Sequence, residues 1–330
     1  MTLPKRYLLA NLPTRIHALE RLSKKYGVSI SIKRDDETGL LTSGNKVRKL
    51  EFLAQDAIAN SCDLLITWGA IQSNHARSTA AVAAQIGMDC LVLLRGEKTQ
   101  NYQGNLLLDR LLGADVIFVE PEEYVQIDAV AERFAERLRR QGKKAYIIPE
   151  GGSNALGSLG YVQMAEELAG QMRKDRLTFD SIVCAVGSGG TYAGLLLGKK
   201  LHKLESKIIG FNVCQNAAYF KKKIAAIIDQ AVESYHLPVR VDTDEIKITD
   251  GYVGPGYALS TTEQLATLRE VAQGESVVLD PVYTGKTMHG LLDQIRQGTN
   301  EFGQHILFIH TGGIFGLFPK ADELSKVIIG

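Results

Sequence analysis

The chain has 330 residues, 45% of them hydrophobic and 23% charged, with a formal net charge of +1. That is enough apolar material for one large domain or two smaller ones, and the near-neutral balance excludes a nucleic-acid or membrane partner recruited by bulk charge. The four cysteines, Cys62, Cys90, Cys184 and Cys214, are widely spaced without a CxxC pair and read as buried, reduced thiols.

The opening MTLPKRYLLANLPTR is broken by proline and charge too early for a signal peptide. No apolar stretch reaches the ~18 residues of a membrane span, so a cytoplasmic protein is expected. The first strand candidate is VSISIKR (28–34), followed by a helix over 46–61 whose Val47, Leu50, Leu53, Ala54, Ala57 and Ile58 form one stripe. DLLITW (63–68) reads as a strand, and SNHARSTAAVAAQIG (73–87) as a helix with a Ser/Asn cap and a glycine stop. CLVLLR (90–95) and DVIFV (115–119) are strands, 125–143 is a charged amphipathic helix with a solvated face, and AYIIP (145–149) is a strand. Beyond the glycine cluster PEGGSNALGSLG (149–160), a candidate crossing between domains, come the strand candidates SIVCAV (181–186), KIIGFNV (207–213), SVVLD (276–280) and HILFIH (305–310). Most are continuously apolar, which suits strands buried on both faces of a parallel sheet. Alternating β and α segments imply an open α/β architecture, with no repeat, low-complexity tract or long linker.

In such sheets ligands bind beyond the carboxyl ends of strands. Four polar or glycine-rich segments fall there: GAIQSNHAR (69–77), VGSGGTYAG (186–194), DPVYTGKTMHG (280–290) and HTGGIFG (310–316). A glycine turn opening a helix lets backbone amides approach a phosphate. The turn at 186–194 fails the dinucleotide fingerprint, because Tyr192 stands at its last glycine position, which counts against a nicotinamide dehydrogenase. GKT at 285–287 matches only the tail of a phosphate-binding loop, since Asp280 stands at the required glycine. The histidines show no metal-ligand spacing, and no metal is expected. Lys46 and Lys49, three apart at the start of the 46–61 helix, put cations at the end of a helix that disfavours them. A phosphate loop with a lysine at another strand-to-helix junction suggests pyridoxal 5'-phosphate, which needs a lysine amine, phosphate donors and a partner for its ring nitrogen.

Seven ordered segments carry a resemblance: GNKVRKLEFL, GAIQSNHAR, GGSNALGSLGY, GSGGTYAGL, GPGYALS, LDPVYTGKTMHGL and ILFIHTGG. Together, from about residue 8 to residue 318, the chain resembles the D-cysteine desulfhydrase and 1-aminocyclopropane-1-carboxylate (ACC) deaminase family of tryptophan-synthase-β-like, fold type II pyridoxal-phosphate enzymes. The resemblance implies two open, twisted, mostly parallel sheets with flanking helices. A large cofactor domain would comprise 1–47 and 161–330, a small inserted α/β domain 48–160, and the protein would be a homodimer. It implies Lys46 as the Schiff-base lysine, Lys49 on the phosphate, Asn74 on the ring oxygen, and Gly187, Ser188, Gly189, Gly190 and Thr191 as the phosphate cradle. Ser73, Asn74 and His75 would hold the substrate carboxylate, with Ser73 also a catalytic hydroxyl, and Tyr257 and Tyr283 would lie over the reacting carbon.

Thr284 and Thr311 stand where ACC deaminases carry glutamate and leucine, the desulfhydrase pattern, with Thr311 at the cofactor and Thr284 at the substrate. A carboxylate beside the pyridine nitrogen would keep it protonated, and a hydroxyl would not. The implied reaction is β-elimination of D-cysteine to pyruvate, ammonia and hydrogen sulfide. ACC deamination and elimination from L-cysteate or D-serine are alternatives, and a cofactor-binding protein with little turnover is an alternative of another class. Ser43, Trp68, Ile314 and Phe315 depart from the family pattern, and the last two are expected near the pocket, where bulk would alter substrate choice.

Overall fold

The structure, a computed structural model, describes residues 3–328. In chain order the first half contains β1 (Ile16–Ala18), α1 (Glu20–Tyr26), β2 (Ser29–Lys33), α2 (Asn45–Ala59), β3 (Leu64–Ala70), α3 (Asn74–Ile86), β4 (Asp89–Arg95), α4 (Gly104–Leu111), β5 (Asp115–Val119), α5 (Pro121–Tyr124), α6 (Ile127–Arg140) and β6 (Ala145–Ile147). The second half contains α7 (Ala155–Asp175), β7 (Ser181–Val186), α8 (Gly190–His202), β8 (Lys207–Asn212), α9 (Ala217–Tyr235), β9 (Lys247–Thr249), α10 (Thr262–Glu275), α11 (Thr284–Arg296), β10 (His305–Ile309) and α12 (Ala321–Ile328).

The strands form two sheets, six in the order β1-β2-β10-β7-β8-β9 and four in the order β5-β4-β3-β6. Every pairing is parallel except β1 with β2. Both faces of each sheet are covered, which is why β7 reads SIVCAV with all six residues buried. One core layer joins α7, α8 and α9 to the larger sheet, and a second packs α10 and α11 on its other face through Leu268, Met288 and Leu291. The smaller sheet packs α2 and α3 on one side and α6 on the other. Trp68 is buried in that last layer beside Ile127 and Val130.

The segment 276–280, expected as a strand, is irregular and pairs with no strand among the described residues. Ser276, at φ +55°, ends α10 in the left-handed region. Val277 and Leu279 are buried while Val278 is exposed, so the alternation has a core on one side and no ladder. Two three-residue strands, β1 and β9, had no readable sequence signal, since such short runs are set by the neighbour they pair with.

Candidate active site

The carboxyl ends of β3, β4 and β7 and the segments after β8 and β10 surround a cavity of about 430 Å³. Its walls include Lys46, Ser73, Asn74, His75, Gly187, Ser188, Gly189, Thr191, Tyr257, Tyr283 and Thr311. The structure therefore brings together candidates from six separate stretches of the chain.

Lys46 stands on the first turn of α2. Gly44 before it has φ +103°, and a β-carbon there would lie 2.5 Å from the Thr311 carbonyl oxygen. The Asn45 amide donates to that same carbonyl at 3.1 Å, so glycine allows the end of β10 to be stitched onto the start of α2. Lys46 Nζ donates to Asn45 Oδ1 at 2.9 Å and lies 5.7 Å from the centre of the Tyr283 ring. Burial and the Arg77 cation lower its pKa to about 8, against the pull of Asp280 and Glu150.

Lys49 is buried just behind this wall, with Nζ 3.1 Å from the Gly151 carbonyl and 3.1 Å from Ser153 Oγ. No carboxylate pairs with it among the described residues, and burial together with Lys46 and Lys223 holds its pKa well below the usual lysine value. Ser153 Oγ accepts the Gly190 amide at 3.2 Å and shares a 2.7 Å hydrogen bond with Ser188 Oγ, which links Lys49 to the glycine turn. At that turn, the start of the 13-residue α8, the amides of Ser188, Gly189 and Thr191 donate to no protein atom among the described residues. Unpaired amides at a helix N-terminus beside a buried, uncompensated ammonium form a donor set that fits a phosphate.

The N-terminus of α3 forms another wall. Ser73 Oγ caps it by accepting the Ala76 amide at 3.1 Å, and the amides of Asn74 and His75 are left without a protein acceptor. Asn74 Oδ1 accepts from Asn105 Nδ2 at 2.9 Å, which fixes its side chain. The His75 Nε2 pairs with Thr67 Oγ1 at 2.9 Å, and Thr67 Oγ1 donates to the Ile148 carbonyl at 2.8 Å. Thr67 must therefore accept, so His75 carries its proton on Nε2 and a free lone pair on Nδ1. Burial and the Lys46 and Lys49 cations keep this imidazole neutral. Opposite, Tyr257 Oη and Tyr283 Oη are 2.5 Å apart. Burial raises the Tyr257 hydroxyl to about 12 and Tyr283 further still, so both keep their protons near neutrality.

Gly190 and Thr284 are not on the cavity wall. Gly190 sits behind the turn against Ser153, and Thr284 is fully buried with its hydroxyl donating to Asp280 Oδ1 at 2.6 Å. Asp280 also accepts the amides of Val282, Tyr283 and Thr284, so this carboxylate is saturated by the first turn of α11. Of the threonine pair, Thr311 alone faces the cavity. Phe315 lies away from it, with its ring 5.2 Å from the Arg77 guanidinium carbon, and Ile314 is 39% exposed. Neither is among the residues of the cavity wall, although Thr311 and Gly312 just before them are. Sequence reasoning passed over Arg95, Tyr124, Glu150 and Lys223, which also line it. For Arg95 a signal existed, since it closes the apolar run CLVLLR at the carboxyl end of a strand.

Comparison with known proteins agrees with this geometry. The profile of a family described as "Pyridoxal-phosphate dependent enzyme" matches residues 7–312. The chain is 41% identical to a protein of Arabidopsis thaliana named bifunctional D-cysteine desulfhydrase/1-aminocyclopropane-1-carboxylate deaminase, mitochondrial, over 98% of this chain and 81% of that protein. It is 43% identical to a D-cysteine desulfhydrase of Klebsiella pneumoniae over 96% of each. A crystal structure described as an ACC deaminase homologue superposes with a TM-score of 0.91 at 40% identity, covering 98% of this chain and 96% of that one. The chain belongs to the pyridoxal-phosphate-dependent enzymes of fold type II, in the family of D-cysteine desulfhydrase and ACC deaminase, and is a pyridoxal-phosphate-dependent lyase.

Proposed function

We propose that this lyase eliminates sulfide from D-cysteine, giving pyruvate, ammonia and hydrogen sulfide. The observation that carries the choice is the composition of the cavity wall. At the end of β10 it offers the Thr311 hydroxyl, and its one carboxylate among the described residues is Glu150, in the turn before α7. A hydroxyl does not enforce a protonated ring nitrogen as a carboxylate would. Thiol loss after α-proton removal should need a weaker electron sink than opening an unactivated cyclopropane.

In this reading Lys46 carries the cofactor, while Lys49 and the amides of Ser188, Gly189 and Thr191 hold its phosphate. The Asn74 side chain meets the ring oxygen. The amides of Asn74 and His75 bind the substrate carboxylate beside Ser73, and the imidazole of His75, being neutral, adds no charge there. Bound pyridoxal phosphate supplies an electron sink for the pair left at the substrate α-carbon. Lys46, once released, accepts the α-proton at Nζ, which suits an amine with a pKa of about 8. The Tyr257 and Tyr283 hydroxyls, protonated near neutrality, act as hydrogen-bond donors over the reacting carbon rather than as bases.

The reading includes a homodimer in the cytoplasm and a small domain of residues 48–160. Support for the domain division is that every strand of the smaller sheet lies between residues 64 and 147. Support for the dimer is the exposure of the apolar side chains Leu40, Leu107, Leu111 and Phe318. No helix among the described residues is long and apolar enough to cross a membrane.

The test is product release by the purified, cofactor-loaded protein from D-cysteine, L-cysteine and ACC. Sulfide and pyruvate from the D-isomer are expected. 2-Oxobutanoate from ACC with nothing from D-cysteine would overturn the choice of branch.

A further inference from the structure

Two cations on the cavity wall, Arg95 and Lys223, serve neither phosphate nor α-carboxylate in this reading, and of the two Arg95 is the one flanked by two aromatic rings. Arg95 ends β4, and its guanidinium carbon lies 5.3 Å from the centre of the Tyr124 ring and 5.9 Å from that of Tyr257. Tyr124 belongs to α5, beside the smaller sheet. Tyr257 belongs to the loop between β9 and α10, beside the larger sheet. Arg95 is exposed, and its guanidinium lies within cation–π reach of two aromatic rings, one beside each sheet. Among the described residues no carboxylate pairs with it and no acceptor takes its N–H groups.

The charges on the wall are unbalanced. Lys46, Arg95 and Lys223 face a single carboxylate, Glu150, with Lys49 behind them. Glu150 accepts from Tyr124 Oη at 3.4 Å and does not pair with Arg95. A phosphate satisfies Lys49 and the glycine turn, and an α-carboxylate satisfies the start of α3. Neither accounts for Arg95, whose planar fork of donors matches an oxyanion or a thiolate.

We propose that Arg95 forms an anion subsite at the cavity mouth that binds the negatively charged side-chain substituent of the amino-acid substrate. This rests on the reading of the cavity as an amino-acid site and adds the class of amino acid preferred: one whose β-carbon bears a group that is anionic, such as thiolate, sulfonate or carboxylate. Tyr124 and Tyr257 restrict the guanidinium in advance, which reduces the entropy lost when the anion arrives. Because Tyr257 also stands over the reacting centre, the subsite and the chemistry share one wall.

Aspartate and alanine separate binding at this subsite from elimination, because neither carries a leaving group at its β-carbon. Both enantiomers of each are titrated onto the cofactor-loaded protein and followed by the cofactor's absorbance. The wild type is expected to bind aspartate more tightly than alanine. Arg95→Gln should reduce that preference about tenfold or more, the size of a lost charge-assisted hydrogen bond, and Arg95→Lys should restore part of it. A wild type without preference for aspartate, or an Arg95→Gln variant that weakens both ligands equally, would overturn the proposal. Failure to release sulfide from D-cysteine, with the aspartate preference intact, would break the functional reading and leave the subsite standing.

Discussion

Asp109, on α4, is buried, and neither of its carboxylate oxygens has a hydrogen-bond partner. Arg77 is the nearest opposing charge, but its guanidinium is committed to Asn105 Oδ1 and to the carbonyls of Leu41 and Ser43. Burial therefore raises the Asp109 carboxyl to about 8, with Arg77 offsetting only part of the shift. The folded state thus keeps a proton that the unfolded chain releases near pH 4. The stability this group contributes is complete below about pH 4 and declines as pH rises toward 8, at up to about 1.4 kcal/mol per pH unit. Asp109→Asn should accordingly melt above the wild type at pH 8, with the gap much smaller at pH 5. Thermal melts at both values measure it, and a pH-independent gap would mean that the carboxyl is solvated. At this scale the motifs carried Lys46, Ser73 and Tyr283 to the cavity, because residue type and neighbours identified them. Thr284 and Phe315 show the limit of that reading. The same four-residue spacing that puts Thr284 in DPVYT lets Asp280 claim its hydroxyl, and only tertiary packing sets Phe315 against Arg77.

Among the elements, α2 carries both lysines of the proposed cofactor site, and its position depends on its other face. Lys46 and Lys49 look toward the cavity, and Arg48 points the opposite way. There it donates to Asp35 through Nε at 2.9 Å and Nη2 at 2.8 Å, and to Glu167 through Nη1 at 2.9 Å. Lys33 Nζ meets Glu167 at 2.6 Å, and Tyr161 Oη meets Asp35 at 2.7 Å. Two cations and two anions thus balance between β2, α2 and α7. Removing one anion strands buried positive charge, which costs about 3 kcal/mol or more. Glu167→Gln should lower the thermal midpoint by several degrees, and a shift below about 1 °C would mean that solvent screens the cluster. Helix α3 was legible from end to end, because its Ser73 cap and Gly87 stop are local features. The segment 276–280 was not, because apolar alternation records a buried face and says nothing of a partner strand.

At the scale of the whole molecule, two parallel sheets face the cavity with their carboxyl ends, and the site draws on both. Long apolar runs separated by helices made the α/β class readable from sequence. The convergence of Lys46, the α3 amides and the glycine turn at one cavity came from resemblance and then from the fold, since they lie as much as 145 residues apart, from Lys46 to Thr191. Arg95 and Glu150 join them because the strand order places their ends there. In the proposed reading this convergence makes Lys46, rather than Lys49 or Lys223, the residue that carries the cofactor. It is tested most directly by reducing the cofactor-loaded protein with borohydride and mapping the modified peptide by mass spectrometry. The pyridoxyl phosphate group is expected on Lys46, with no adduct in the Lys46→Ala variant. An adduct on Lys49 or Lys223 in the wild type would contradict it.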